Sequence, residues 1–227
     1  MDNHSNSIWY AMEDVLEFYA DTGVAELLQP EEDLCLHKPR SGDGYKELCQ
    51  EIRECRKCPL SRSRKHAVPG EGCLDAKLMF VGEGPGRDED IQGRPFVGEA
   101  GRLLSRIIEA MKFSREDVYI TNVVKCRPPG NRNPLPDEID SCQYYLFRQI
   151  EMIQPEVIVT LGNVPTRFLL NTSAGITALR GKFHAFRNIK IMPTFHPSYL
   201  VRRKEDKKLK IKVWSDMQKV MALLGKK

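Results

Sequence analysis

The sequence predicts an α/β fold: a three-layer sandwich whose central, mostly parallel four-stranded sheet is flanked by helices. Two observations carry that expectation. Four short apolar runs, Lys77–Gly82, Val118–Val124, Val157–Leu161 and Ile189–Thr194, have the length and composition of buried strands, and helix-period segments separate them. Strands alternating with helices are joined by crossovers, which make them parallel and cover both faces of the sheet.

Taken in chain order, residues 1 to 45 form an acidic extension. Apolar positions at Ile8, Met12, Val15, Leu16 and Tyr19 predict a short amphipathic helix, and the polar, Pro- and Gly-bearing stretch from Gln29 to Gly44 reads as a linker. A single domain is expected from residue 46 to 227. Its first strand, Lys77–Gly82, runs into the glycine turn Gly82-Glu83-Gly84-Pro85-Gly86. The segment Ala100–Met111 places Leu103, Leu104, Ile107, Ile108 and Met111 on one side, as a helix covering the sheet requires. Asp137–Ile153 does the same with Ile139, Cys142, Leu146 and Ile150, so Cys142 is expected to face the core. After the last strand come a basic run from Arg202 to Lys208 and a terminal helix around Trp214–Leu223. There is no internal repeat.

Composition narrows the function classes. With 227 residues and 41% hydrophobic content the chain supports one substantial core. No basic and apolar leader opens the sequence, and no apolar run approaches the roughly 20 residues of a membrane helix, so a soluble cytoplasmic monomer is expected. Seven cysteines is an odd count, which suits metal ligation in a reducing compartment better than a secreted disulfide framework. Residues 1 to 40 hold nine acids and two bases, so the net charge of +4 leaves +11 on the rest. A basic body predicts a polyanionic partner.

Cys55 and Cys58 form a C-x2-C pair, and Cys126 and Cys142 follow far downstream. Two thiolates from one tight turn and two from separate elements complete a four-ligand shell, suited to zinc or to an iron–sulfur cluster. Spacing leaves both metals open. Arg53, Arg56, Lys57, Arg62 and Arg64 crowd the first pair, a field that favours thiolate and also suits a nucleic-acid backbone.

The glycine turn ends a strand, which is where parallel sheets bind ligands. It has neither the Gly-Lys-Ser/Thr of a phosphate-binding P-loop nor the helix-opening pattern of a dinucleotide fingerprint. Gln92-Gly93-Arg94-Pro95-Phe96-Val97-Gly98 then brings an aromatic ring back toward the turn, as stacking on a flipped base requires.

Several motifs occur together: Val68-Pro69-Gly70-Glu71-Gly72, Gly82-Glu83-Gly84-Pro85-Gly86-Arg87-Asp88-Glu89-Asp90, Gln92 to Gly98, Thr121-Asn122-Val123-Val124-Lys125-Cys126-Arg127-Pro128-Pro129, Asn131-Arg132 and His196-Pro197-Ser198. In this combination, from about Leu48 to Arg203, the chain resembles the family-4 uracil-DNA glycosylases. The resemblance implies an enzyme that hydrolyses the N-glycosidic bond of deoxyuridine in DNA, releasing uracil and leaving an abasic site. It implies that Cys55, Cys58, Cys126 and Cys142 hold a 4Fe–4S cluster. It further implies that Phe96 stacks on uracil, Asn122 reads the base edge, and His196 contacts uracil O2, with Gly82, Glu83 and Gly84 forming the turn against the substrate. Gly84 stands where better-known uracil glycosylases carry a water-activating Asp, so Glu83 and Asn131 are expected to orient the water or support the pocket. The competing reading is a non-catalytic iron–sulfur protein on the same fold that binds nucleic acid or senses redox state.

Overall fold

The computed structural model describes residues 42–226. The helix expected around Ile8 to Tyr19 lies outside the described residues. So does most of the linker, but its last three residues, Gly42, Asp43 and Gly44, open helix α1 (Gly42–Glu54) rather than a loop, with the Asp43 carboxylate in the first turn where the helix dipole favours it.

The sheet has six strands, not four. β1 (Glu71–Gly72), β2 (Leu78–Gly82), β3 (Tyr119–Asn122), β4 (Val157–Leu161), β5 (His184–Phe186) and β6 (Ile189–Thr194) lie in the order β1-β3-β2-β4-β6-β5. The four expected strands form the central block β3-β2-β4-β6, all parallel. The additions, β1 and β5, are antiparallel edges. They span two and three residues, too short for an alternating pattern to be visible in the sequence. Short edges also offer little open backbone to a second sheet.

Apart from Ile189 and Lys190 at the start of β6, the central strands are buried on both faces, and their side chains alternate between two cores. Leu78 and Phe80 of β2 face one, with α3 (Glu99–Ala110) and α8 (Lys207–Leu223) supplying Leu104, Ile108, Val213 and Met217. Met79 and Val81 face the other, against Leu48 and Ile52 of α1 and Leu146 and Ile150 of α4 (Pro136–Ile153). Short helices fill the remaining connections: α2 (Arg87–Gln92), α5 (Asn163–Leu170), α6 (Ile176–Leu179) and α7 (Pro197–Arg202). The basic run is therefore not one loop. Arg202 ends α7, and Lys207 and Lys208 open α8, whose first N–H groups are capped by Asp206. No helix among the described residues is long and apolar enough to cross a membrane.

Candidate active site

Parallel strands place their carboxyl ends together, and the candidate residues gather there. Gly82 ends β2 directly opposite Asn122 at the end of β3, while Leu161 of β4 is opposite Thr194 of β6, two residues before His196. Pairing continues past the strand ends: the Val123 N–H donates to the Gly82 carbonyl at 2.9 Å and the Val124 N–H to the Glu83 carbonyl at 3.2 Å. These ends frame a cavity of about 770 Å³ lined by Glu83, Gly84, Phe96, Asn122, Asn131 and His196 among others, which brings together all the candidate substrate and catalytic residues except Gly82. Gly82 lies directly beneath: a Cβ there would come within 2.4 Å of Asn122 Oδ1 and 2.5 Å of Phe96 Cζ. Only glycine lets the amide and the ring approach the strand end so closely.

Phe96 is held by its backbone. It sits at φ 51°, a left-handed conformation that a phenylalanine adopts only under constraint. Three groups impose it. Glu89 Oε1 accepts the Val97 and Gly98 N–H groups at 2.9 and 3.0 Å. The Arg115 guanidinium, itself paired with Glu71, donates to the Pro95 and Phe96 carbonyls at 2.9 and 3.2 Å. Gly101 of α3 leaves room for the Phe96 carbonyl, which would lie 2.0 Å from a Cβ at that position. The ring then faces His196, with centroids 5.7 Å apart and planes inclined by 32°.

Asn122 is 1% exposed, and its Oδ1 has no hydrogen-bond partner. An unpaired buried carbonyl oxygen costs about 1–3 kcal/mol, so Oδ1 gains from any donor that enters the cavity. Behind it the buried Lys125 ammonium donates to the Asn122 carbonyl, Thr121 Oγ1 and Gln149 Oε1, each at 2.7 Å. Burial lowers the Lys125 pKa to about 7; in the ammonium form all three protons are used, fixing the backbone that carries the amide.

His196 precedes α7, and its Nδ1 accepts the Ser198 N–H at 3.1 Å. Burial, assisted by the nearby Arg202 charge, lowers its pKa from 6.5 to about 4. The ring is therefore neutral at pH 7, and with Nδ1 accepting, its proton sits on Nε2, available as a donor. A consequence for stability follows. Between pH 6.5 and 4 the unfolded chain binds a proton that folded His196 refuses, so stability falls as pH falls, by on the order of 3 kcal/mol across that window. Tm measured against pH should accordingly be shallower for His196→Ala than for the wild type between those limits.

Burial alone raises the Glu83 carboxyl pKa. Asn131, exposed and at φ 56°, accepts the Arg127 Nε–H at 2.7 Å through Oδ1. The β6 end is tied down by Asp216 of α8, which is fully buried, accepts the Thr194 hydroxyl at 2.6 Å and pairs with Arg180.

The four cysteines come from α1's exit, the following turn, the segment after β3, and α4. All are free thiols within or against one core. Burial pushes Cys142 up to about 11 and raises Cys58 and Cys126, and each of these three also feels another of the four as a like charge. Arg64 Nη1 donates to Cys126 Sγ at 2.9 Å and the Lys125 N–H to Cys142 Sγ at 3.3 Å. Among the described residues no three His, Cys, Asp or Glu side chains form a group that could hold a metal ion.

The chain that forms this pocket has relatives among known proteins. Residues 69–218 match the family model of the uracil DNA glycosylase superfamily. The chain is 50% identical to the Type-4 uracil-DNA glycosylase of Saccharolobus solfataricus, over 69% of this chain and 76% of that one. Identity is 42% to the Type-4 uracil-DNA glycosylase of Archaeoglobus fulgidus (82% of this chain, 96% of the relative) and 45% to that of Thermotoga maritima (79% and 94%). The chain belongs to the type-4 uracil-DNA glycosylases.

Proposed function

We propose that this protein is a DNA-repair glycosylase that flips deoxyuridine out of DNA and hydrolyses its N-glycosidic bond. The observation that carries the reading is the buried, unpartnered Asn122 Oδ1 beside the cavity that Phe96 and His196 line. Uracil supplies what that amide lacks: its N3–H donates to Oδ1, and its O4 accepts from the amide nitrogen. Cytosine offers the reverse pattern, an acceptor at N3 and a donor at N4. The Phe96 ring stacks on the base, which is sequence-tolerant binding worth about 1–3 kcal/mol.

As the bond from N1 to C1′ breaks, its electron pair passes to uracil and negative charge grows on O2. The Nε2–H of neutral His196 donates to that oxygen, a contact that strengthens as charge develops. The sugar takes on cation character, and water adds to C1′ to leave an abasic site. Glu83 and Asn131 orient that water and support the pocket, Glu83 being the carboxyl whose pKa burial raises toward the range where a base or acid is useful.

Cys55, Cys58, Cys126 and Cys142 would hold a 4Fe–4S cluster, whose four irons take one thiolate each, so that the four sulfurs need not close on a single ion. The donor set is four thiols and nothing else, they influence one another electrostatically, and two of the sulfurs accept N–H bonds of the kind that stabilise anionic sulfur. A cluster held by these four residues would join the exit of α1, the turn after it, the segment after β3, and α4. Cys126 lies four residues beyond Asn122 on a segment zipped to the Glu83 turn, so the clamp also positions the site. Cys126→Ser should lose iron and lower excision at least about tenfold. A folded Cys126→Ser protein that excises at the wild-type rate contradicts this coupling. The function itself is tested by incubating the iron-loaded protein with a duplex containing one uracil and cleaving the product with alkali. Strand scission at the uracil supports the reading, and an intact strand refutes it.

A further inference from the structure

A second hollow, of about 590 Å³, lies at the cysteine end of the molecule, lined by Arg53, Glu54, Arg56, Ser61, Arg62 and Arg64. Four guanidiniums share it with one carboxylate, and Glu54 is already engaged by the Gln50 side-chain amide. Arg64 is committed to the fold, donating to the Arg53 and Cys55 carbonyls at 2.6 and 2.9 Å as well as to Cys126 Sγ. Arg53, Arg56 and Arg62 are exposed, and none forms an ion pair among the described residues. Three uncompensated cations around one concavity favour a polyanion there, and guanidinium forks match phosphate oxygens.

The hollow has a defined relation to the base pocket. The loop leaving it docks on α2: the buried Asp90 carboxylate accepts the Lys65 and His66 N–H groups at 2.8 and 3.4 Å, and His66 Nδ1 lies 3.0 Å from the Asp90 carbonyl. The first turn of the same helix, Arg87 to Glu89, lines the base pocket.

We propose that the arginine hollow is a second DNA subsite that holds backbone phosphates of the strand flanking the flipped uracil. The inference rests on the glycosylase reading and adds that the bound strand reaches the cluster end of the molecule. Such a subsite reads no sequence; it sets affinity and its salt dependence. Arg64, donating to Cys126 on one side and lining the hollow on the other, ties the subsite to the cysteine clamp.

The test is equilibrium binding of the iron-loaded protein to a duplex bearing a non-hydrolysable deoxyuridine analogue, over a range of salt concentrations. R53A/R56A/R62A should weaken binding at least about tenfold near 0.1 M salt and flatten the slope of log affinity against log salt by about three. R53K/R56K/R62K should recover most of the slope, because a phosphate also accepts a point charge. A control, K77A/K112A/K190A, removes equal charge from exposed positions at the other end of the sheet and should keep the wild-type slope. If the triple arginine variant fails to fold, R56A and R62A singly should each lower the slope by about one. A wild-type slope in the arginine variants, or equal flattening in the control, overturns the subsite. A wild-type protein that excises no uracil instead overturns the glycosylase reading, so the two failures are distinct.

Discussion

Asn122→Ala is expected to lower single-turnover excision of uracil about 10²- to 10³-fold. Among the described residues that line the pocket, Asn122 carries the one buried side-chain oxygen without a protein partner, and on the proposed reading uracil's N3–H supplies it. Losing a preorganised hydrogen bond to a group that gains charge costs about 2.7–4 kcal/mol in activation free energy. The loss should fall on the rate more than on stability, because alanine also removes an unsatisfied buried oxygen. Thermal melting should therefore stay within a few degrees of wild type while the rate collapses. Retention of more than about a tenth of the wild-type rate would sink the assignment of Asn122 as the group that reads the base edge.

Gly101→Ala should have an effect of similar size by a different route. The new methyl would sit 2.0 Å from the carbonyl carbon and oxygen of Phe96, both of them backbone atoms, so the turn carrying the ring must move. That turn is already held at positive φ by Glu89 and Arg115. A displacement of about 1 Å in a positioning group can cost 10²-fold in rate, and overpacking adds about 1–3 kcal/mol of destabilisation. Excision by Gly101→Ala should drop about 10²-fold, with a lowered Tm. Normal excision would mean that the ring position is not set by α3.

The central parallel block was legible because its strands are uniformly apolar and separated by strongly periodic helices; Leu103 to Met111 and Ile139 to Ile150 are clear cases. β1 and β5 were not, since two and three residues at a sheet edge leave no periodic trace. In the pocket, Phe96, Asn122 and His196 became visible only through several motifs read together, because each is an ordinary core or capping residue when taken alone. The groups that hold them escaped the sequence reading. Glu89, Arg115, Gly101 and Asp216 act on partners 5 to 22 positions away, through contacts only the fold creates. Lys125 was hidden for another reason: a lysine in an apolar run reads as an edge or a surface, whereas here it is 1% exposed with three acceptors. The crowded arginines were visible as charge, but their shared hollow and its connection to α2 through Asp90 required the structure.

The central claim is that one pocket, built from Phe96, Asn122 and His196, both recognises uracil and breaks its bond to DNA. Direct identification of the released base under single-turnover conditions tests it, comparing the wild type with Asn122→Ala and His196→Ala, all iron-loaded and folded. The wild type should release free uracil and leave an abasic strand, with cytosine and thymine untouched at the same position, and each variant should be slower by orders of magnitude. No free base from the wild type, or variants as fast as the wild type, would contradict it.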